Sequence, residues 1–410
     1  MSRPTPTFIS LLAFLCFLSL LPCRVPTNAG EPMADRDKMS SGMQALTGAI
    51  PVMTPYPGES RLTKRPDGAF AAIPEIRGTT KIFHIVGREA PWTLKPGLTV
   101  TAKTYNGVVP GPVLIVRQGD RVVIDYRNEL DIPDTIHLHG IHNIPVEMDG
   151  VPGTSQAMVQ PHGTFRYEFT ADQPGTFIYH THDQKAVLNS GLYGGIIVMP
   201  LRQRSEERVA RDYLEIISSW YINSNNESVF TLNGKEYPAT QSLNVRRGER
   251  IRVRWINMSA ENFHTMHTHG HYMNIIARDA MPLSSKDIED TMIIGPGQRI
   301  DTTIVADQKP GTWMIHCHVL DHVEDENGMP NGLMTSLHYI GAPDKTTAMY
   351  DAMMGTMKKP EMISYSTALP KQGKFSFGMT TLLGAFTCLS GFAIIFFIFR
   401  SRERSDATVS

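Results

Sequence analysis

Short apolar runs dominate the middle of the chain, and turns rich in glycine and proline separate them. From about Lys81 this pattern predicts β-strands, because successive side chains of a strand point to opposite faces. Helical periodicity is absent from the same region. The clearest predicted strands are Val113–Val116, Arg121–Tyr126, Thr164–Phe169 and Thr176–His180. The central region is therefore predicted to be all-β.

One β-rich unit occurs twice in this region. Residues 119–140 run from GDRV to HLHG, and residues 248–270 repeat the order from GERI to HTHG. Likewise ADQPGTFIYHTH at 171–182 is echoed by ADQKPGTWMIHCH at 306–318. Tandem copies of this kind predict two Greek-key β-sandwich domains. We place them at 79–203 and 204–342, with the boundary in a charged stretch.

The N-terminal end has the features of a secretory signal peptide. Residues 1–29 combine an early positive charge at Arg3, an apolar core from Phe8 to Leu21 and small residues near the end. Residues 30–78 lack periodicity, and we predict a poorly ordered, methionine-containing extension there. The mature protein is therefore expected to be exported to the periplasmic or extracellular side of the membrane.

The C-terminal end predicts a membrane anchor. Residues 343–374 form a methionine-rich linker, and residues 375–399 carry no charge over a length that spans a bilayer as a tilted helix. Arginines in the tail at 400–410 place that tail in the cytoplasm. The β-domains are thus expected to be tethered outside by their C-terminal end.

Composition narrows the function through its charge and its cysteines. The formal net charge of −1 gives no indication of nucleic-acid binding. Three of the four cysteines lie in or beside the apolar ends, so Cys317 is alone in the polar bulk of the chain. A single cysteine in an exported protein is a candidate for special chemistry, and a buried free thiol is the alternative.

Cys317 lies between His316 and His318. In a strand the thiol points to one face and both imidazoles to the other, so the three residues serve two neighbouring sites. A thiolate with imidazole ligands is typical of a blue-copper centre. Three further histidine groups support metal binding, and together they exceed what one tetrahedral zinc site requires. They are His137/His139, His180/His182 and His264/His267/His269.

These motifs resemble those of the multicopper oxidase family, specifically its two-domain, small-laccase-like branch. The resemblance covers roughly residues 80–340 and rests on HLHG, HTHD, HTMHTHGH and HCHVLDH, and on YNGVVPGPVLIVRQGD at 105–120. It implies two tandem cupredoxin-like domains and four copper ions per chain. It also implies one-electron oxidation of a small reducing substrate and reduction of dioxygen to water.

The resemblance assigns copper ligands position by position. For type 1 copper they are His264, Cys317 and His322; for type 2, His137 and His267; for the type 3 pair, His139, His180, His182, His269, His316 and His318. Asp149 matches a family acid and is the candidate proton relay, with a turn aspartate as the alternative. The axial type 1 ligand is assigned to Met329, while Leu333 and Met334 remain alternatives.

The first repeat carries threonine where the second carries Cys317, so no type 1 copper is expected there. This argues against a copper nitrite reductase, whose blue copper lies in the first domain. A non-catalytic copper-binding protein is the third hypothesis, which the complete ligand set disfavours. Two-domain relatives are homotrimers with copper clusters between subunits, and the resemblance implies the same assembly here.

The reducing substrate is either a phenol or a metal ion such as Cu(I) or Fe(II). Glu324, Asp325 and Glu326 follow His322, where electrons would enter, and would attract cations. Methionines at both ends of the β-region could hold Cu(I), since thioethers select it. Both features favour a metal ion, although a solvated loop and inert methionines are the alternatives.

Overall fold

The computed structural model describes residues 58–183, 189–203, 208–222 and 228–345. Within these ranges the regular structure is almost entirely β-strand, as the alternation of apolar and polar side chains predicts. The predicted signal peptide, membrane helix and cytoplasmic tail lie outside these residues, as does nearly all of the linker. The boundary at 203/204 adjoins undescribed residues and stays a prediction. No helix within the described ranges is long and apolar enough to cross a membrane.

The first repeat contains two sheets. Their strands are β1 (Leu62–Lys64), β2 (Phe70–Ala72), β3 (Glu75–Arg77), β4 (Thr80–Lys95), β5 (Leu98–Tyr105), β6 (Gly111–Arg117), β7 (Arg121–Asn128), β8 (Ile136–His139), β9 (Thr164–Thr170), β10 (Gly175–Thr181) and β11 (Tyr193–Met199). One sheet has the strand order β1-β2-β6-β11-β10-β8, and the other has the order β3-β4-β7-β9 with β5 paired to β4. The four strands predicted from the sequence are confirmed as parts of β6, β7, β9 and β10.

The second repeat also contains two sheets. Their strands are β12 (Arg211–Tyr221), β13 (Ser228–Leu232), β14 (Leu243–Val245), β15 (Arg250–Asn257), β16 (His264–Thr268), β17 (Met273–Arg278), β18 (Met281–Glu289), β19 (Thr291–Ile294), β20 (Arg299–Val305), β21 (Thr312–Cys317) and β22 (Met334–Tyr339). The strand orders are β13-β12-β15-β20-β17-β18 and β14-β22-β21-β16-β19. Short 3-10 helices occupy Val146–Met148 in the first repeat and Leu320–His322 in the second.

Three apolar cores hold these four sheets together. One lies between the two sheets of the first repeat and a second between those of the second repeat. The third joins the repeats, where Ile178 and Ile197 pack with Leu214 and Ile256. Each such side chain contributes about 1.5–3 kcal/mol on full burial. The β6-β11-β10 face therefore lies against the β12-β15 face, and the β16-β21 sheet lies beyond it.

A buried ion network crosses the junction between the repeats. Arg254 donates to both carboxylate oxygens of Asp212 at 2.6 and 2.7 Å and lies 3.2 Å from Asp301. The Thr176 hydroxyl donates to Asp301 at 2.6 Å and accepts from Arg254 at 2.9 Å. Because a buried charge is costly without partners, this network fixes β10 against the second repeat.

The predicted disorder of residues 30–78 is wrong for residues 58–78. This segment contributes β1, β2 and β3, and its Arg65 and Asp67 form a buried ion pair at 2.8 Å. Ala69 and Ala71 pack in the core that joins the repeats. Three-residue strands are too short to show periodicity, and a buried ion pair is indistinguishable from surface charge in the sequence.

Candidate metal centres

Three metal-binding side chains converge inside the second repeat. The Cys317 sulfur lies 3.5 Å from His322 Nδ1 and 3.9 Å from His264 Nδ1, and the two nitrogens are 3.1 Å apart. Cys317 and His264 are fully buried, and His322 is 8 % exposed. Two imidazoles and a thiolate around one point match the donor set of a blue-copper site.

Burial keeps these imidazoles neutral. It lowers the pKa of His264 to about 3, with a smaller contribution from neighbouring His322. Burial also lowers the pKa of His322. The Nε2 atom of His264 lies 2.9 Å from the Ser259 hydroxyl, which leaves Nδ1 directed towards Cys317. Neutral, oriented imidazoles are the form that binds a metal ion.

The strand β21 separates two sites, as the alternation of its side chains requires. Cys317 lies opposite Met266 of β16 and packs in the core, whereas His316 lies opposite His267 on the other face. His316 is half-buried and His318, just past the strand, is exposed. The predicted strand geometry around Cys317 is therefore confirmed.

Four imidazoles gather on that other face, and we call them the second half-site: His267, His269, His316 and His318. The Nε2 atoms of His269 and His316 lie 3.0 Å apart. The Nδ1 atoms of His267 and His316 bond to backbone carbonyls of Asp290 and Cys317, at 2.9 and 2.8 Å. Burial, followed by neighbouring histidines, lowers the pKa of His269.

A matching group, the first half-site, lies on β8 and β10 and comprises His137, His139, His180 and His182. Ligand atoms of the first three lie within 4.8 Å of one another, and the His182 ring is 5.3 Å from that of His137. The register places His137 directly opposite His180. Burial lowers the pKa of His139 to about 4 and that of His180 to about 3.

Backbone carbonyls orient this half-site as well. The Nδ1 atom of His137 lies 2.6 Å from the Asp149 carbonyl and 3.4 Å from its carboxylate. The Nδ1 atom of His180 lies 2.7 Å from the Thr181 carbonyl. In both rings the Nε2 atom is left for a metal ion, which is how protein sites usually fix histidine ligands.

The two half-sites are separate within the chain. Among the described residues, ring contacts join histidines within each half-site and none joins one half-site to the other. The second half-site lies on the face of its sheet that is turned away from the core. The six histidines assigned to the type 3 pair are thus divided equally, with three in the first half-site and three in the second.

The register of β21 and β22 bears on the axial position. Met334 lies opposite His316 and so shares its face, whereas the Leu333 carbonyl accepts from the Cys317 amide at 3.0 Å. Leu333 is fully buried in the same core as Cys317. Met329 is also buried, on the loop after His322, and its assignment as a ligand stays a prediction. The register therefore favours Leu333 over Met334.

Several supporting residues had no signal in the sequence. Ser259 and Asp290 act on histidines through hydrogen bonds that only the folded chain forms. Gly297 of the second repeat approaches His139 so closely that a Cβ atom would lie 3.0 Å from the ring. After burial, nearby Arg299 is the next cause that lowers the pKa of His139.

Comparison with known proteins identifies one family for both repeats. Residues 88–203 and 215–334 each match a family described as multicopper oxidase. The chain belongs to the multicopper oxidase family. Its two matched regions, one in each repeat, correspond to the two-domain type expected from the sequence.

Individual laccases and copper resistance proteins are similar to this chain in sequence. Laccase-7 of Arabidopsis thaliana is 29 % identical over 50 % of this chain and 41 % of its own length. Copper resistance protein A of Escherichia coli is 27 % identical over 47 % of this chain and 41 % of its own. The chain therefore spans less than half the length of these curated relatives. The crystal structure of blue copper oxidase from Nitrosomonas europaea has a TM-score of 0.59 and 33 % identity, covering 63 % of this chain and 85 % of that one.

Replacing Cys317 by serine should remove the thiolate site and leave the two histidine half-sites of this multicopper oxidase intact. The variant loses the thiolate, so we expect no blue absorption and no substrate oxidation, while both half-sites keep their imidazoles. Copper content and electron paramagnetic resonance of the loaded variant measure what remains. Blue colour in Cys317→Ser would contradict the assignment of this site.

The axial position can be tested with a pair of substitutions. Leu333→Met should introduce a thioether beside the Cys317 site and lower the reduction potential of a copper ion bound there, because an axial sulfur stabilises the oxidised metal. Met329→Leu is the matched control and should leave the potential unchanged. A potential that responds only to the change at Met329 would confirm Met329 as the axial residue.

Proposed function

We propose that this protein oxidises a small reducing substrate at a type 1 copper and reduces dioxygen to water at a trinuclear copper cluster. The single observation that carries the proposal is Cys317 in a buried His₂Cys site, with His316 and His318 in the second half-site. When bound, copper would supply one-electron transfer at the Cys317 site and four-electron reduction of dioxygen at the cluster.

The residues fit this cofactor. Soft and imidazole donors converge in the core, and the half-sites present neutral imidazoles with oriented Nε2 atoms. We assign one type 1, one type 2 and two type 3 coppers per chain to the ligands named above. Peptide bonds join Cys317 to both neighbouring histidines, so the two sites are held at a fixed separation that suits electron transfer.

Asp149 is the proposed proton relay. Its carboxylate lies 3.4 Å from His137 Nδ1, at the edge of the first half-site, and is partly exposed. The 3-10 helix Val146–Met148 ends at this residue, which fixes its backbone beside the imidazole. A carboxylate at this place can pass a proton between solvent and the cluster where oxygen is reduced.

The cluster is proposed to form between chains, in a homotrimer. Supporting this, the second half-site lies on the outer face of its sheet, and His269 and His318 are exposed there. His182 of the first half-site is exposed as well. Each half-site therefore presents imidazoles to solvent, where a neighbouring chain could add the other half of the ligand set.

Complementation tests this assembly. His180→Ala breaks the first half-site and His316→Ala the second, so each variant alone should lose oxygen reduction. In mixed oligomers, an intact second half-site of one chain meets an intact first half-site of the other, and part of the activity should return. Oxygen uptake by co-expressed chains measures this, with mixing of separately purified trimers as the control. Activity absent from verified mixed oligomers would mean that each cluster belongs to one chain.

The favoured substrate is a metal ion such as Cu(I) or Fe(II). Glu324 and Glu326 are exposed on the loop after His322, where their charge would attract cations. Asp325 has a different role, because its Oδ1 atom accepts from the amides of Asn327 and Met329 and so shapes the loop.

A phenol is the second candidate. Val319 and Leu320 are exposed three and two residues before His322, with Leu320 62 % accessible, and offer an apolar surface to an aromatic ring. An aromatic substrate would gain from burying these side chains and would be indifferent to the carboxylates of the loop. The two candidates therefore depend on different residues.

Oxygen uptake by the copper-loaded protein, offered Cu(I), Fe(II) or a simple phenol, tests both the activity and the substrate. We expect metal ions to drive the faster uptake. The double substitution Glu324→Gln with Glu326→Gln should raise KM for metal ions roughly ten-fold and leave that for the phenol unchanged. No oxygen uptake with any substrate would overturn the oxidase, and turnover with nitrite instead would indicate a reductase.

The location of the enzyme is proposed from the two apolar ends. A signal peptide at 1–29 and an anchor at 375–399 would place the β-domains on the outer face of the cell membrane. The methionine-rich segments would then be exported with the β-domains and could hold Cu(I), since thioethers select it.

A further inference from the structure

The first repeat contains a counterpart of the type 1 site in which other residues stand at the ligand positions. Thr181 lies between two histidines, as Cys317 does in the second repeat. Asp134 precedes the first histidine of its HLH motif by three residues, as His264 precedes that of its HTH motif. The two positions that hold a metal ligand in one repeat thus hold a carboxylate and a hydroxyl in the other.

The local backbone is the same in both repeats. The Thr181 amide donates to the Leu192 carbonyl at 3.0 Å, and the Cys317 amide donates to the Leu333 carbonyl at 3.0 Å. Thr181 is 1 % exposed and points to the core side of β10, as Cys317 does from β21. The correspondence between the repeats therefore extends from the sequence to the surroundings of each residue.

Hydrogen bonds fill the place that a metal ion would take. Asp134 is fully buried, and its Oδ1 atom accepts from the Thr181 hydroxyl at 2.6 Å. Its Oδ2 atom accepts from the Tyr126 hydroxyl at 2.5 Å. The backbone of Asp134 exchanges two further hydrogen bonds with Val159, at 3.0 and 2.9 Å. Burial raises the pKa of Asp134 to about 6, so the carboxylate is still largely ionised at neutral pH and binds these hydroxyls strongly.

This network connects the two segments that carry the first half-site. Thr181 lies between His180 and His182, and Asp134 begins the segment that leads to His137. One hydrogen bond therefore joins both segments from the core side, directly behind the imidazoles. In the second repeat, the same two segments are joined by His264 and Cys317, the residues that would share a metal ion.

We propose that the hydrogen bond between Asp134 and Thr181 is a positioning device that takes the place of a type 1 metal ion in the first repeat. It holds the first half-site in its metal-binding arrangement without a metal in the core behind it. Asp134 and Thr181 touch no reacting atom and act only through the histidines beside them. The inference rests on the proposed function in taking the half-site to be a copper site.

The same threonine-to-valine change, made at Thr181 and at a control position, tests the proposal. Thr181→Val keeps the shape of the side chain and removes the hydroxyl, which donates to Asp134 at 2.6 Å and accepts from the Asp183 amide at 3.3 Å. Thr135→Val is the matched control, because Thr135 is fully buried next to Asp134 and its hydroxyl has no hydrogen-bond partner in the described part of the chain. Thr181→Ser keeps the hydroxyl and should restore whatever Thr181→Val loses.

The measurements use the full chain loaded with copper. Thr181→Val should weaken copper binding at the histidine half-sites roughly 10- to 100-fold, the usual effect of losing a residue that orients metal ligands. The type 2 electron paramagnetic resonance signal and kcat should fall with it. The blue absorption of the second repeat and KM for the reducing substrate should not change, and Thr135→Val should match the unchanged protein.

Three results would overturn the proposal. They are an unaltered type 2 signal in Thr181→Val, equal losses in Thr181→Val and Thr135→Val, or a loss that Thr181→Ser does not restore. Should Thr181→Val fail to fold, Asp134→Asn replaces it: the amide oxygen still accepts from Thr181 but without charge, and a smaller loss of the type 2 signal is expected. Copper binding is measured without turnover, so a failure of the oxidase proposal would leave this test readable.

Discussion

The alternation of side chains along β21 is the constraint on which the rest of the site depends. Because neighbouring residues of a strand face opposite ways, Cys317 enters the core while His316 stays on the outer face of the same sheet. A shift of register by one residue would exchange the two environments and destroy both sites. The pairing of β21 with β16 and β22 is therefore what makes three consecutive residues serve two centres.

Burial and backbone carbonyls together prepare the imidazoles. Burial lowers the pKa of His139, His180 and His264 far enough that they stay neutral at physiological pH. Carbonyl or hydroxyl groups occupy one ring nitrogen and leave the other directed to the site, as for His137 and His264. The protein thus meets the cost of orienting the ligands during folding, before any metal ion arrives.

The sequence was sufficient for features that recur with a fixed spacing. The His-X-His motifs, the lone Cys317 and the duplicated unit predicted the strands and the clustering of histidines, because period-two geometry acts over a few residues. Features that need distant partners were missed. The segment from 58 to 78 includes Ala69 and Ala71, which are buried in the core that joins the repeats, and Met334 is disfavoured as the axial residue only through strand register. Asp134 looked like an ordinary polar residue because its partner Thr181 is 47 positions away.

The two repeats differ in how their stability relates to the surroundings of the protein. In the second repeat the core itself contains three metal-binding side chains, so a metal ion bound there is linked to folding, and its free concentration acts on the folding equilibrium by mass action. In the first repeat Asp134 and Thr181 stand at two of the corresponding positions and are joined by a hydrogen bond. The stability of the second repeat is therefore expected to depend on the free metal concentration. The hydrogen bond between Asp134 and Thr181 in the first repeat forms without any metal ion.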